Sequence, residues 1–280
     1  MAKFWNIKSI DLKSLAMITK MSPHPCLDKI VNYYWIEKNG KGNMKVLPDG
    51  TTSILFNLGN PINVYGIVGD NKGIKSNIIV GSQKKYFFVE EKKNTHIIGI
   101  KFTQGGGYHF FKLPMSKFSN KIIELSDVID DESEKLRQLL READGDDAVK
   151  KVLDYYLLIH ADMLSGTSEI VDYAIKSVNA NSSPSLIKQL CETANISNKH
   201  LISLFNKKVG QTPKLIQRLN KFIKVIDIIH NQKFMNWSQI AYECNYYDQA
   251  HLINEFKIFA GVSPKNYYED VKSNRISVRI

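Results

Sequence analysis

Cysteine is scarce in this sequence, with three residues, Cys26, Cys191 and Cys244, scattered along the 280-residue chain. That is too few for a disulfide framework, and none stands at metal-ligand spacing from another cysteine or a histidine, so reduced thiols and no bound metal are expected. No apolar run approaches the roughly 18–20 residues that a bilayer crossing needs. The opening Met1–Ile10 stretch has no apolar core and no small-residue cleavage site, so the expected location is the cytoplasm, with no membrane partner. Catalytic motifs are missing too. Gln104–Tyr108 contains three glycines but lacks the Lys-Ser/Thr of a phosphate loop, and His24, His96 and His109 have no carboxylate or cysteine at metal spacing. No catalytic residue and no cofactor are expected.

What the sequence does have is positive charge, a formal +10. Between residues 199 and 233 stand Lys199, Lys207, Lys208, Lys214, Arg218, Lys221, Lys224 and Lys233 against the single acid Asp227, a net +7. Such a cluster serves either as a solvated helix face or as a seat for an anionic partner. The length suits two domains, each large enough to bury its own core.

The two halves differ in pattern. Residues 31–36, 52–56, 63–68, 86–89 and 96–100 are short β-branched and aromatic runs, separated by turn chemistry such as Pro48-Asp49-Gly50 and Gly69-Asp70-Asn71. Trp35 reads as sheet core and Asp49 as a turn residue. Helical periodicity follows over 132–143, 148–163 and 170–178. Ser183-Pro184 suits an N-cap and first helical position, and everything from Pro184 to about Tyr268 reads as helices with short turns. The expected fold class is α+β. Residues 1–165 form a β-rich sensor or dimerisation domain with trailing helices, and residues 166–280 an all-α domain of two helix-turn-helix units joined by a linker helix.

A repeat separates this helical half from ordinary core patterning. Leu190-Cys191-Glu192-Thr193-Ala194-Asn195-Ile196 returns fifty residues later as Ile240-Ala241-Tyr242-Glu243-Cys244-Asn245-Tyr246. His200-Leu201-Ile202, Phe205, Gly210 and Thr212-Pro213 return one residue further out as His251-Leu252-Ile253, Phe256, Gly261 and Ser263-Pro264. The small residues Cys191 and Ala241 fit close helix approach, and Asn195 and Asn245 suit a left-handed turn. Leu201 with Phe205, and Leu252 with Phe256, are i,i+4 pairs that pin each second helix. Core packing alone explains each pair but not the duplication in register.

With these residues, and with Ile240-Ala241, Tyr246–Leu252, Glu255-Phe256-Lys257 and Gly261–Tyr267, the sequence resembles the AraC/XylS family over about residues 170–270. Asn245 stands where that family usually has glycine and Leu252 where it usually has an aromatic. Leu47–Gly50, Leu55–Gly59 and Ile98–Phe102 followed by Gly105-Gly106 resemble the β-rich sensor half of some members. The resemblance implies a transcription regulator whose partner is double-stranded DNA. RNA polymerase, a small-molecule effector and a second copy of the chain are further candidate partners. A DNA repair or DNA-modifying enzyme with the same reader is the alternative, motivated by Cys26.

The second helix of each unit would start near Ser197 and near Asp248 and enter the major groove. The family's base-contacting positions map onto Lys199, Ile202 and Ser203, and onto Gln249, Ala250, Ile253 and Asn254. Many relatives carry arginine at the positions of Ser203 and Asn254, so an A·T-leaning site is expected. Pro213–Asn231 would be a linker helix of about 28 Å, near the ~34 Å groove repeat. Its stripe Ile216, Leu219, Ile223 and Ile226 faces a core. Asn206, Lys207, Lys214, Arg218, Lys221 and Lys224 are expected on phosphates.

Overall fold

The computed structural model describes residues 17–40, 42–67, 71–161, 169–180, 185–231, 235–273 and 277–279. The 165/166 boundary, the Gly69-Asp70 turn, Ser183-Pro184 and Lys233 lie outside the described residues.

The first half is built from strands β1 (Met17–Met21), β2 (Val31–Lys38), β3 (Asn43–Val46), β4 (Ser53–Asn57), β5 (Ile62–Tyr65), β6 (Asn71–Ile74), β7 (Asn77–Val80), β8 (Phe87–Glu90) and β9 (His96–Phe102). Helix α1 (Gly106–Phe111), strand β10 (Ile122–Glu124) and helices α2 (Ser126–Ile129), α3 (Glu132–Glu142) and α4 (Asp146–His160) follow. One sheet has the order β1-β2-β9-β4-β7-β10. Its strands pair antiparallel, and Trp35 on β2 lies opposite Gly99 on β9. A Cβ at Gly99 would fall 2.1 Å from the Trp35 ring, so the indole occupies the space that only glycine leaves. Trp35 is core, as its aromatic strand context implies.

Phe102, Phe110, Phe111 and Phe118 meet Leu136, Leu140, Leu153 and Leu157 of α3 and α4 in one apolar cluster. Asp154 of α4 fastens that helix to the sheet: its Oδ1 accepts from the Tyr34 hydroxyl at 2.9 Å and from the His24 N–H at 2.8 Å, and it pairs with Lys150. Burial, then the hydrogen bond and negative charge of Asp154, push the Tyr34 hydroxyl pKa well above the tyrosine range. The glycines considered as a phosphate loop serve packing instead. A Cβ at Gly106 would lie 2.0 Å from the Ile30 carbonyl oxygen.

The second half contains α5 (Glu169–Ala180), α6 (Leu186–Thr193), α7 (Asn198–Lys208), α8 (Pro213–Asn231), α9 (Trp237–Glu243), α10 (Gln249–Ala260) and α11 (Pro264–Lys272). The nineteen residues of α8 form the spine: Ile216, Leu219, Phe222, Val225, Ile226 and Ile229 are all buried in a core that both helix-turn-helix units share. The all-helical pattern ends at strand β11 (Ser277–Arg279), which returns to the first half and pairs parallel with β3. The second sheet therefore has the order β11-β3-β8-β5-β6.

The halves touch at defined points. The Pro48–Gly50 turn abuts α8, since a Cβ at Gly50 would lie 2.9 Å from Ile216 Cδ1. Asp49 does more than make the turn: it accepts from the Thr51 N–H and hydroxyl and pairs with Lys101. Burial raises its pKa, but the Lys101 charge and the hydrogen bonds from Lys101 and Thr51 outweigh that and hold it below the usual carboxylate range. The buried Gln211 donates to the Ser82 carbonyl at 2.9 Å and to the Ser119 hydroxyl at 2.8 Å. The Tyr86 N–H donates to the Phe259 carbonyl at 3.1 Å.

Candidate nucleic-acid interface

The two units repeat in geometry as well as in sequence. At the end of α6 the Ile196 N–H donates to the Cys191 carbonyl at 3.0 Å and the Asn195 N–H to the Glu192 carbonyl at 3.2 Å. At the end of α9 the Tyr246 N–H donates to Ala241 at 2.8 Å and the Asn245 N–H to Tyr242 at 3.0 Å. Both are Schellman turns, which require one residue in the left-handed region. Asn195 (φ 49°) and Asn245 (φ 58°) supply it. Asparagine tolerates this conformation because its short amide can bond locally, so it substitutes for glycine here.

Each second helix then starts on a side-chain cap. Ser197 Oγ accepts from the His200 N–H at 3.1 Å, and Asp248 Oδ1 accepts from the His251 N–H at 2.7 Å. Leu201, Phe205, Leu252 and Phe256 are fully buried, and the Phe222 ring of α8 lies 5.1 Å from that of Phe256. With those side chains turned inward, α7 presents Lys199 and Ser203 to solvent, and Ile202 is half-buried beside them. Similarly, α10 presents Gln249, Ala250 and Asn254, with Ile253 half-buried. Gln249 Oε1 accepts from the Ser238 hydroxyl of α9 at 2.9 Å.

The basic residues divide into two groups. Lys207 and Lys214 are exposed. Arg218 instead makes a two-pronged ion pair with Glu255 of α10, with Nε–Oε2 at 2.6 Å and Nη2–Oε1 at 3.0 Å, and its guanidinium lies 5.3 Å from the Phe259 ring centre. Lys221 donates to the Asn245 carbonyl at 2.6 Å, and Lys224 to the Glu243 carbonyl at 2.7 Å. Three of the six residues expected on phosphates therefore staple the second unit to α8. Carbonyls at a helix end are orphaned acceptors, and a lysine satisfies them while complementing the helix dipole. Burial lowers the pKa of Lys221. Behind this turn the Cys244 thiol is buried and pushed up to about 11, which keeps it protonated and unreactive at neutral pH.

Asn206 is half-buried and lines a cleft of about 680 Å³ between the two halves of the chain. Its walls include Arg218 of α8, Ile258 of α10, and Lys84 and Lys85 from the loop before β8. Each charged residue lining this cleft is basic. Sequence reading missed Lys84 and Lys85 because they lie more than a hundred residues from the helical repeat and belong to no motif.

Residues 190–270 match the model of a helix-turn-helix domain, and residues 19–124 that of a domain of unknown function (DUF6597). Among curated proteins nothing matches. Among solved structures, ToxT from Vibrio cholerae is similar over 91% of this chain and 97% of that one, at 12% identity and a TM-score of 0.48. ToxT from the same organism with a bound unsaturated fatty acid is similar over 94% of this chain and 97% of that one, at 11% identity and a TM-score of 0.41. The DNA-binding domain of AdpA, a global transcriptional factor in complex with a target DNA, is similar over 39% of this chain and 94% of that one, at 17% identity and a TM-score of 0.33. No helix among the described residues is long and apolar enough to cross a membrane. The C-terminal part of the chain is a helix-turn-helix domain.

Proposed function

We propose that the protein is a DNA-binding transcription regulator of the AraC/XylS type, that it reads two successive major grooves with α7 and α10, and that its first domain controls the reader by self-association or by a small-molecule effector. The observation that carries the reading is the pair of recognition helices, each set on a left-handed asparagine turn, capped by its own side chain, and presenting polar residues outward. Lys199 can reach guanine, and Gln249 and Asn254 can pair bidentately with adenine; Ile202 and Ile253 can pack on thymine methyls. Ser203 and Asn254 stand where arginine would read guanine, so the preferred site leans to A·T pairs. Lys207 and Lys214 take phosphates. The regulator would work beside the chromosome in the cytoplasm and act on RNA polymerase.

Self-association has a candidate surface on α3 and α4. Leu139, Tyr155, Leu158 and Ile159 are exposed, and the last three lie at i, i+3 and i+4 on one helix face. A second copy of this face would bury them. The test of the DNA reading is selection from random duplexes by the wild type and by Gln249→Ala. The variant should lose preference at adenines in one half of the site, and an unchanged ranking would refute the placement of α10. Sedimentation of Ile159→Glu tests the surface: the wild type should be dimeric and the variant monomeric.

A further inference from the structure

We propose that the first domain supplies part of the DNA interface itself: Lys84 and Lys85 hold a backbone phosphate segment that passes between the two reading heads. This rests on the DNA-binding reading above and extends it to residues outside the helix-turn-helix domain.

At 100° per residue, Asn206 falls on the same face of α7 as Lys199 and Ser203, seven and three residues earlier. Ile258 falls near the face of α10 that carries Ala250 and Asn254, eight and four residues earlier. Both reading faces therefore run, at their C-terminal ends, into the same cleft, the one lined by Asn206, Ile258, Arg218, Lys84 and Lys85. The charge of Arg218 is already matched by Glu255. Lys84 and Lys85 are exposed, and neither has an ion-pair partner among the described residues. They are the uncompensated charge of the cleft.

Their loop is fixed on both sides. Two residues before Lys84, the Ser82 carbonyl accepts from Gln211, which lies between α7 and α8. One residue after Lys85, the Tyr86 N–H donates to the Phe259 carbonyl at the end of α10. The Lys84 N–H itself donates to the Asn120 side chain at 2.9 Å. The loop is thus held by the first unit's exit and by the second recognition helix at once, and it carries two ammonium groups into the space between them. A duplex spanning two successive major grooves must lay its intervening phosphates across that space. Lysines on a fixed loop meet them without ordering a new segment.

The experiment measures duplex binding by the full chain and by Lys84→Ala/Lys85→Ala, titrated from about 50 to 200 mM salt, on the selected site and on an unrelated duplex. Each phosphate contact steepens the log–log salt slope by about 0.9, so the double variant should lose about 1.8 units of slope and show about a twelvefold smaller fall in affinity across that range. The weakening at low salt should be equal on both duplexes. Lys84→Glu/Lys85→Glu should weaken binding further. A wild-type slope in the alanine variant, with Lys214→Ala shallower in the same assay, would overturn the proposal while leaving the DNA reading intact. No salt-dependent duplex binding by the wild type would instead overturn the reading beneath it. Loss of preference for the selected site in the double variant would also count against a phosphate role.

Discussion

Replacing Arg218 by methionine separates two roles that the same residue could have on a DNA-binding helix. The arginine makes two short charge-assisted bonds to Glu255, and the two side chains are 35% and 14% exposed. An exposed pair contributes roughly 0–1 kcal/mol, and breaking a buried one costs roughly 3–5 kcal/mol. This half-buried, two-pronged pair falls between, so the loss should be about 2 kcal/mol, mostly from stranding the Glu255 carboxylate. Methionine keeps the apolar stem against Phe259, which limits the packing loss. In thermal unfolding the loss corresponds to about 4–8 °C. Glu255→Gln sharpens the test by sign. If Arg218 staples α10 to α8, removing the acid weakens DNA binding; if Arg218 chiefly held phosphate, removing the acid would strengthen it. The double variant should be more stable than the sum of the single losses implies, by about 1 kcal/mol. An Arg218→Met protein that melts with the wild type, yet shows a salt slope shallower by about one unit, would refute the staple.

The asparagine turns give a second test: Asn195→Gly and Asn245→Gly should be neutral or slightly stabilising, while the alanine variants should each lose about 1–2 kcal/mol in denaturant unfolding. Asp49 gives a pH dependence. Its pKa is held below the unfolded value, so its contribution is present above about pH 4 and is lost as pH falls through the lower folded pKa. Asp49→Asn should flatten the loss of stability as pH falls below about 4, and an unchanged acid limb would refute the Lys101 pair as its cause. Gly261→Ala should be costly twice over, because φ is +74° and the added Cβ would lie 2.4 Å from the Tyr86 ring; a melting temperature equal to wild type would show that Tyr86 is not seated there.

The helical half was legible because its signals are local. Caps, the left-handed asparagine, the i,i+4 pairs and the span Pro213–Asn231 each depend on residues within one or two turns of each other, and α8 has those bounds. The stripe Ile216, Leu219 and Ile226 is buried, and Ile223 is partly so. Five strands of the first half were legible from their aromatic and β-branched runs. Strands β1, β3, β6, β7 and β10 were not, because each is only three to five residues long, and Asn43–Val46 and Asn71–Ile74 carry little β-branched or aromatic patterning. Helix α1 hid behind glycines, of which Gly106 is there to let the Ile30 carbonyl approach and Gly107 to make room for Met115. The roles of Arg218, Lys221 and Lys224 were illegible for the same reason: their partners are a carboxylate 37 residues away and two backbone carbonyls, and a carbonyl has no sequence signature.

Strand β11 adds a mechanical consequence. A reader joined to its neighbour by one connection can swing about that point through a wide cone. Here the chain leaves the first domain before α5 and returns to its sheet at β3, so the reader is anchored at two separated places. Two anchors define an axis, so any motion that releases the contacts at Gly50, Gln211 and Tyr86 reduces from free swinging to rotation about one hinge line. Any signal arriving at the first domain then reaches both recognition helices as a single angular displacement, which alters their phase on the double helix together.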